Sequence, residues 1–195
     1  LFRSSRVDHA GNEVWGDNGF SLSIDVSASG MAGPVAATHD ATGGGYFAYR
    51  TTFASYDLLQ VTRIRGDGSH AFVAGLDNVG QPTAGDDPQI GLLPLDGGDV
   101  LCVWKQFAPS RRLYAARIDS AGTMLWHAPV NTSWGDGTFW RVVDDGQGDA
   151  IVGFQRDDVI DQIRVQKILV SNGARPWGSD GVLVWTGPVG VFSDL

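Results

Sequence analysis

No apolar run in the chain approaches the roughly 20 residues that cross a bilayer as a helix, so no helical membrane span is expected. There is one cysteine, Cys102, so no internal disulfide can form. Its place in the apolar run 100–104 reads as a small buried residue. Lysine is scarce: Lys105 and Lys167 stand against twelve arginines, a bias read as genomic. These cations are scattered and the net charge is −8, which excludes the basic stripe that a nucleic-acid backbone requires. Sustained helical periodicity is also missing. The four histidines, His9, His39, His70 and His127, are dispersed, and no pair has the spacing of zinc ligands. A Gly-x-Ser-x-Gly nucleophile elbow is absent, and Gly43-Gly44-Gly45 lacks the Lys-Ser/Thr ending of a phosphate loop. The chain opens Leu-Phe-Arg without Met, so it is expected to be an excised or processed piece.

Glycine, by contrast, is abundant at 27 of 195 residues, which suits many tight turns. An apolar fraction of 43% against 18% charged residues is that of a folded, globular chain. The glycines recur in order. A turn glycine followed four residues later by an aromatic occurs at Gly11 with Trp15, Gly68 with Phe72, Gly122 with Trp126, and Gly173 with Trp177. Successive copies are 57, 54 and 51 residues apart. A second row, Gly43, Gly98 and Gly148, lies six residues before Tyr49, Trp104 and Phe154. The runs that follow Gly98 and Gly148 are apolar at odd and even positions alike. They therefore read as strands covered on both faces.

Each repeat divides into four strands, in the clearest copy 89–96, 99–107, 112–119 and 123–131. Four antiparallel strands in a unit of about 50 residues describe a blade of a β-propeller, with a solenoid-like or sandwich arrangement of the same hairpins as the rival. The expected fold is therefore all-β, a β-propeller or propeller fragment of four-stranded antiparallel blades. A half blade over 3–26 precedes three full blades over about 32–82, 86–133 and 138–186. Three and a half blades do not close an ordinary ring of 4–8, so flanking blades of a longer chain, or self-association through the ends, are expected.

The hairpin Asp119-Ser120-Ala121-Gly122-Thr123-Met124-Leu125-Trp126 resembles the tryptophan-docking repeats of quinoprotein propellers, without their Thr-Gly pair and with a shorter Asp-to-Gly step. It also resembles the Asp-box of sialidases, again at a different spacing. Asp lies three before the glycine of the first row only at Asp8 and Asp119. Both resemblances imply a propeller and an exported protein. Neither carries over a catalytic residue, because the motif is structural in both families.

Candidate ligand residues lie where the repeat breaks. Trp134 and Trp140 flank Gly135-Asp136-Gly137, an apolar ring beside an acid of the kind that holds sugars or peptides. Asp144, Asp145 and Asp149 on a glycine turn offer hard oxygens that suit calcium, the one cofactor considered. Asn131-Thr132-Ser133 is a glycosylation sequon. No local set of residues points to catalysis. The expected protein is a non-catalytic propeller segment, bacterial and extracellular or surface-bound, that binds a protein or glycan. Two alternatives are a propeller enzyme, sialidase-like or quinoprotein-like, whose catalytic residues lie outside this chain, and a purely structural repeat.

Overall fold

Short runs rich in Val, Ile, Leu, Tyr and Thr, cut at close intervals by Gly and Asp, favour extended backbone and tight reversals over helix. A computed structural model shows the outcome and describes residues 3–17, 19–21, 30–52, 57–78, 89–106, 112–132, 139–157 and 160–187. β1 (Arg3–Ser4) and β2 (Phe20–Ser21) pair as a small ribbon. The first sheet is β3 (Gly30–His39), β4 (Gly45–Thr52), β5 (Asp57–Ile64) and β6 (His70–Asn78). The second is β7 (Ile90–Pro94), β8 (Val100–Gln106), β9 (Arg112–Ile118) and β10 (Met124–Pro129). The third is β11 (Phe139–Asp144), β12 (Ala150–Asp157), β13 (Asp161–Ile168) and β14 (Val182–Gly187). The chain is thus all-β, with three four-stranded antiparallel sheets in which neighbours in space are neighbours in sequence.

Register gives the inner strand pairs of the three sheets matching positions. Gly45 faces Ile64 across β4 and β5, Val100 faces Ile118, and Ala150 faces Ile168. Arg63, Arg117 and Lys167, each one residue earlier than its isoleucine, therefore hold one common position.

The second sheet lies between the other two. Every residue of β8 is buried, which explains the unbroken apolar run at its centre. Val100, Cys102 and Trp104, with Ala116 and Ile118, pack on Tyr46, Ala48, Leu59 and Val61 of the first sheet. Leu101, Val103, Leu113 and Ala115 pack on Val142, Val152, Phe154 and Ile168 of the third. Full burial of one such side chain contributes about 1.5–3 kcal/mol, so these two faces dominate cohesion. A smaller cluster joins Trp15 to Phe47, Tyr49 and Ile64, with the rings of Trp15 and Phe47 edge-on at 6.3 Å.

At one rim, neighbouring units meet through a repeated contact between a turn glycine and an aromatic from the unit before it. A β-carbon placed on Gly122 would lie 2.6 Å from Cγ of Phe72. On Gly173 it would lie 2.8 Å from Cε3 of Trp126, and on Gly68 3.2 Å from Cδ1 of Trp15. Gly122 also has φ of +93°, which an L side chain adopts only with strain. Gly122→Ala is therefore expected to cost about 3 kcal/mol, the sum of that strain and the displaced ring. Gly146→Ala, at φ of +76° with nothing within 4 Å of the added carbon, is expected to cost about 1 kcal/mol. Urea unfolding of the two variants tests this; equal losses would show that the ring contact carries no stability.

Candidate functional site

The glycine–aromatic contact sits inside a larger polar arrangement at the same rim. Arg6, Arg63 and Arg117 each reach forward across a boundary between units. Their Nη1 groups donate to the backbone carbonyls of Gly66 at 3.0 Å, Ser120 at 3.2 Å and Val170 at 3.3 Å. The indole N–H of Trp15 donates to the same Gly66 carbonyl at 3.2 Å, and that of Trp126 to the Val170 carbonyl at 2.9 Å. Phe72 has no N–H to offer, so at Ser120 the guanidinium acts without an indole beside it.

Arg63 and Arg117, and Lys167 at the same position of the third sheet, are each held from behind by a carboxylate of their own sheet. Arg63 pairs with Asp40 at 3.1 Å and Arg117 with Asp99 at 2.6 Å. Lys167 pairs with Asp145 at 2.6 Å and with Asp149 at 3.1 Å. By register Asp40 and Asp145 share one position, and Asp99 and Asp149 share another four residues on. The charge thus comes from either end of one turn, or from both. Asp99 and Asp149 also accept the N–H of Ser120 at 3.0 Å and of Val170 at 3.1 Å.

The remaining carboxylates hold turns. Oδ1 of Asp8, Asp40, Asp119 and Asp145 accepts N–H groups two and four residues on, in every case around a glycine three residues later. Two of these four, Asp40 with Gly43 and Asp145 with Gly148, belong to the second glycine row. The sequence carries that signal, Asp-x-x-Gly, in both rows.

The three acidic residues considered for calcium are placed in this network. Asp144 accepts the Gly146 N–H at 2.7 Å, while Asp145 and Asp149 grip Lys167. A cation entering here would have to displace that ammonium. Among the described residues no group of three or more His, Cys, Asp or Glu is arranged to hold a metal. Trp134 and Asp136 lie outside the described residues. Trp140 stands in β11 at the register shift between Phe139 and Arg141. Asn131 is buried and its Oδ1 accepts the Leu113 N–H at 3.1 Å, so the sequon begins on a packed side chain. Cys102 is buried in the first interface, and burial pushes its thiol above the usual range.

Of the glycine–aromatic residues, Gly68, Gly122 and Gly173 meet Trp15, Phe72 and Trp126 respectively. Among the described residues Gly11 meets nothing within 4 Å, and Trp177 is exposed. A cleft of about 310 Å³ opens between the second and third sheets, lined by Leu93, Leu95, Asp96, Arg117, Asp149 and Ser171 among others. Its guanidinium is already neutralised by Asp99, and Ser171 has no histidine among the lining residues. The rim fastens sheets and offers no activated nucleophile there.

The other end of the sheets differs in character. Arg50 and Asp57 form a buried pair at 2.9 Å, and Lys105, Gln106 and Asp161 are buried at the same end. Burial draws the Arg50 guanidinium below its usual value, and Asp57 opposes the shift. Nearby, Trp104, Tyr114 and His127 stack, with ring centroids 6.0 Å, 5.4 Å and 4.9 Å apart pair by pair. Nothing in the sequence marked that stack. β10 ends and β11 begins at this end, with Trp134 and Asp136 between them in sequence. No family model matches the chain, and no curated protein does.

One consequence of the rim is an acid-sensitive staple. Lys167 first, and then the N–H groups of Gln147 and Asp149, hold the Asp145 carboxyl down to about 2 from an ordinary 3.8. A carboxylate depressed on folding stabilises fully above its unfolded pKa and loses that contribution as pH falls through the folded one. The melting temperature is expected to fall from about pH 4 to about pH 2, and to fall less steeply in Lys167→Met. Thermal melts across that window check it; identical slopes in the two proteins would remove Asp145 from the acid limb.

Proposed function

We propose that the chain is a segment of a β-propeller, with a half blade over 3–26 and blades over about 32–82, 86–133 and 138–186. It belongs to an exported or surface protein and binds a ligand without catalysing a reaction. The observation that carries this reading is the shared contact between successive units. Apolar packing and an Arg-to-carbonyl bridge recur from one unit to the next, and a row of stacked four-stranded sheets supports a propeller. A meander of consecutive strands within each sheet supports the same architecture.

The place of the ligand follows from how the two ends use their polar groups. At the turn rim Arg63 and Arg117 are each committed to a carboxylate and to the neighbouring unit, and Arg6 to the neighbouring unit. At the opposite end, charges are buried in Arg50, Asp57, Lys105 and Asp161. The sequence also departs from the repeat at Trp134, Asp136 and Trp140, which follow β10 in the chain. Aromatic rings beside an acid suit a sugar, whose C–H face packs on the ring while its hydroxyls donate to the carboxylate.

A glycan array probed with the wild type, Trp134→Ala and Trp140→Ala tests this. The wild type is expected to retain at least one glycan, and each substitution to weaken it by roughly tenfold or more, as loss of a binding aromatic does. A glycan retained equally by both variants would place the site elsewhere, and an array blank for the wild type would remove the sugar as ligand.

A further inference from the structure

The docking contact that joins the units is left half-made at each end of the described structure. On the accepting side, Gly11 lies in a turn built like the others. Its N–H bonds the Asp8 carbonyl at 3.0 Å, as that of Gly122 bonds Asp119 at 3.0 Å. Its φ is +88°, against +93° at Gly122. Asp8 closes the turn with Asn12 as Asp119 does with Thr123, so His9 holds the place of Gly66, Ser120 and Val170. Those three residues provide the carbonyls that the preceding unit grips. Yet among the described residues a β-carbon on Gly11 would meet nothing within 4 Å, where the other three glycines each meet an aromatic ring.

On the donating side, the hairpin of Trp177 is a second copy of the hairpin of Trp15. The sequences Trp-Gly-Asp-Asn-Gly and Trp-Gly-Ser-Asp-Gly share both glycines. Backbone follows sequence: φ is +89° at Gly16 and +86° at Gly178, then +60° at Gly19 and +68° at Gly181. A side chain on Gly19 would run into the Ser4 carbonyl, and one on Gly181 into that of Val165. Trp15 is seated on Gly68, but Trp177 is 39% exposed. Lys167 holds the position of Arg6, Arg63 and Arg117. On the third sheet, Ile151, Gly153, Ile163 and Val165 match by register Leu101, Val103, Leu113 and Ala115 of the second. The latter four are buried under the next sheet, whereas the former are only half-buried.

We propose that these two surfaces take each other in a second copy of the chain, head to tail. Trp177 of one copy seats on Gly11 of the next, and its indole N–H and Lys167 donate to the His9 carbonyl. The occupant is argued from the molecule itself, since three internal boundaries already join this donor type to this acceptor type. The two surfaces are different, so the contact is heterologous and cannot be made by a two-fold dimer of one patch.

Sedimentation velocity of the 195-residue chain over a wide concentration range tests the proposal, with Trp177→Ala and Gly11→Asn as variants. Asn is chosen because it tolerates left-handed backbone while filling the recess. The wild type is expected to associate with rising concentration, and each variant alone to do so at least roughly tenfold more weakly. A mixture of the two variants is expected to recover a dimer and nothing larger, because one supplies an intact Trp177 and the other an intact Gly11. That recovery also shows that both variants are folded. A wild type that stays monomeric at every concentration, or a mixture no more associated than its components, would overturn the proposal. Neither outcome depends on glycan binding, so the ligand proposal stands or falls separately.

Discussion

The structure depends on one backbone carbonyl per boundary, the one just past the third strand of each sheet. At Gly66, Ser120 and Val170 the strand has ended, so the sheet no longer supplies a partner for this oxygen. The bonds to Gly66 and Val170 are part-buried, where an oxygen without a donor is costly, while that to Ser120 is exposed. The preceding unit supplies the donor, a guanidinium in all three cases and an indole N–H in two. Apolar faces attract without direction, so burial alone would let one sheet slide over the next. A charge-assisted bond to a fixed oxygen removes that freedom. Burial thus supplies most of the free energy, and the carbonyl fixes the register between sheets.

For the bond to work the cation must be aimed, and this explains the carboxylates. Asp40 faces Arg63 from the start of one turn, Asp99 faces Arg117 from the end of the corresponding turn, and Lys167 is faced from both sides. Burial alone would raise the Asp40 carboxyl, but the hydroxyl and N–H of Thr42, the N–H of Gly44 and Arg63 outweigh it and hold the group low. The charge is therefore present wherever it is needed, though its position in sequence shifts by four residues. Where lysine replaces arginine the fork is lost, and two carboxylates gather round what is a point charge.

That shift also explains what the sequence shows and what it hides. The strands were legible because their causes are local: β-branched runs, glycine turns, and at β8 an apolar run with no alternation. The second sheet's strands fall inside the expected 89–96, 99–107, 112–119 and 123–131. The glycine–aromatic spacing was legible too, but not who touches whom. Phe72 follows Gly68 by four residues and rests on Gly122, a contact spanning a whole repeat. The Asp-x-x-Gly turn of the second row was hidden because the clearest copy breaks it. Leu95 stands there in place of Asp, and a short 3₁₀ turn at Asp96–Gly98 takes over. The cation position was obscured by chemistry, since Lys167 breaks a run of arginines and so looked like composition rather than role.

The two ends of the sheets use charge differently. At the turn rim every buried charge has a structural task that can be named. At the other end Arg50 and Asp57 are buried as a pair, which carries a desolvation cost that the attraction between them offsets only in part. A buried ion pair is weak support for a fold already held by two apolar interfaces and a set of directed carbonyl bonds. The Arg50–Asp57 pair therefore adds little to cohesion, and the weight of holding the sheets together falls on the apolar faces and the turn rim. The two ends thus differ in what their charges do: at the turn rim they join sheets, and at the other end the Arg50–Asp57 pair is closed within one sheet.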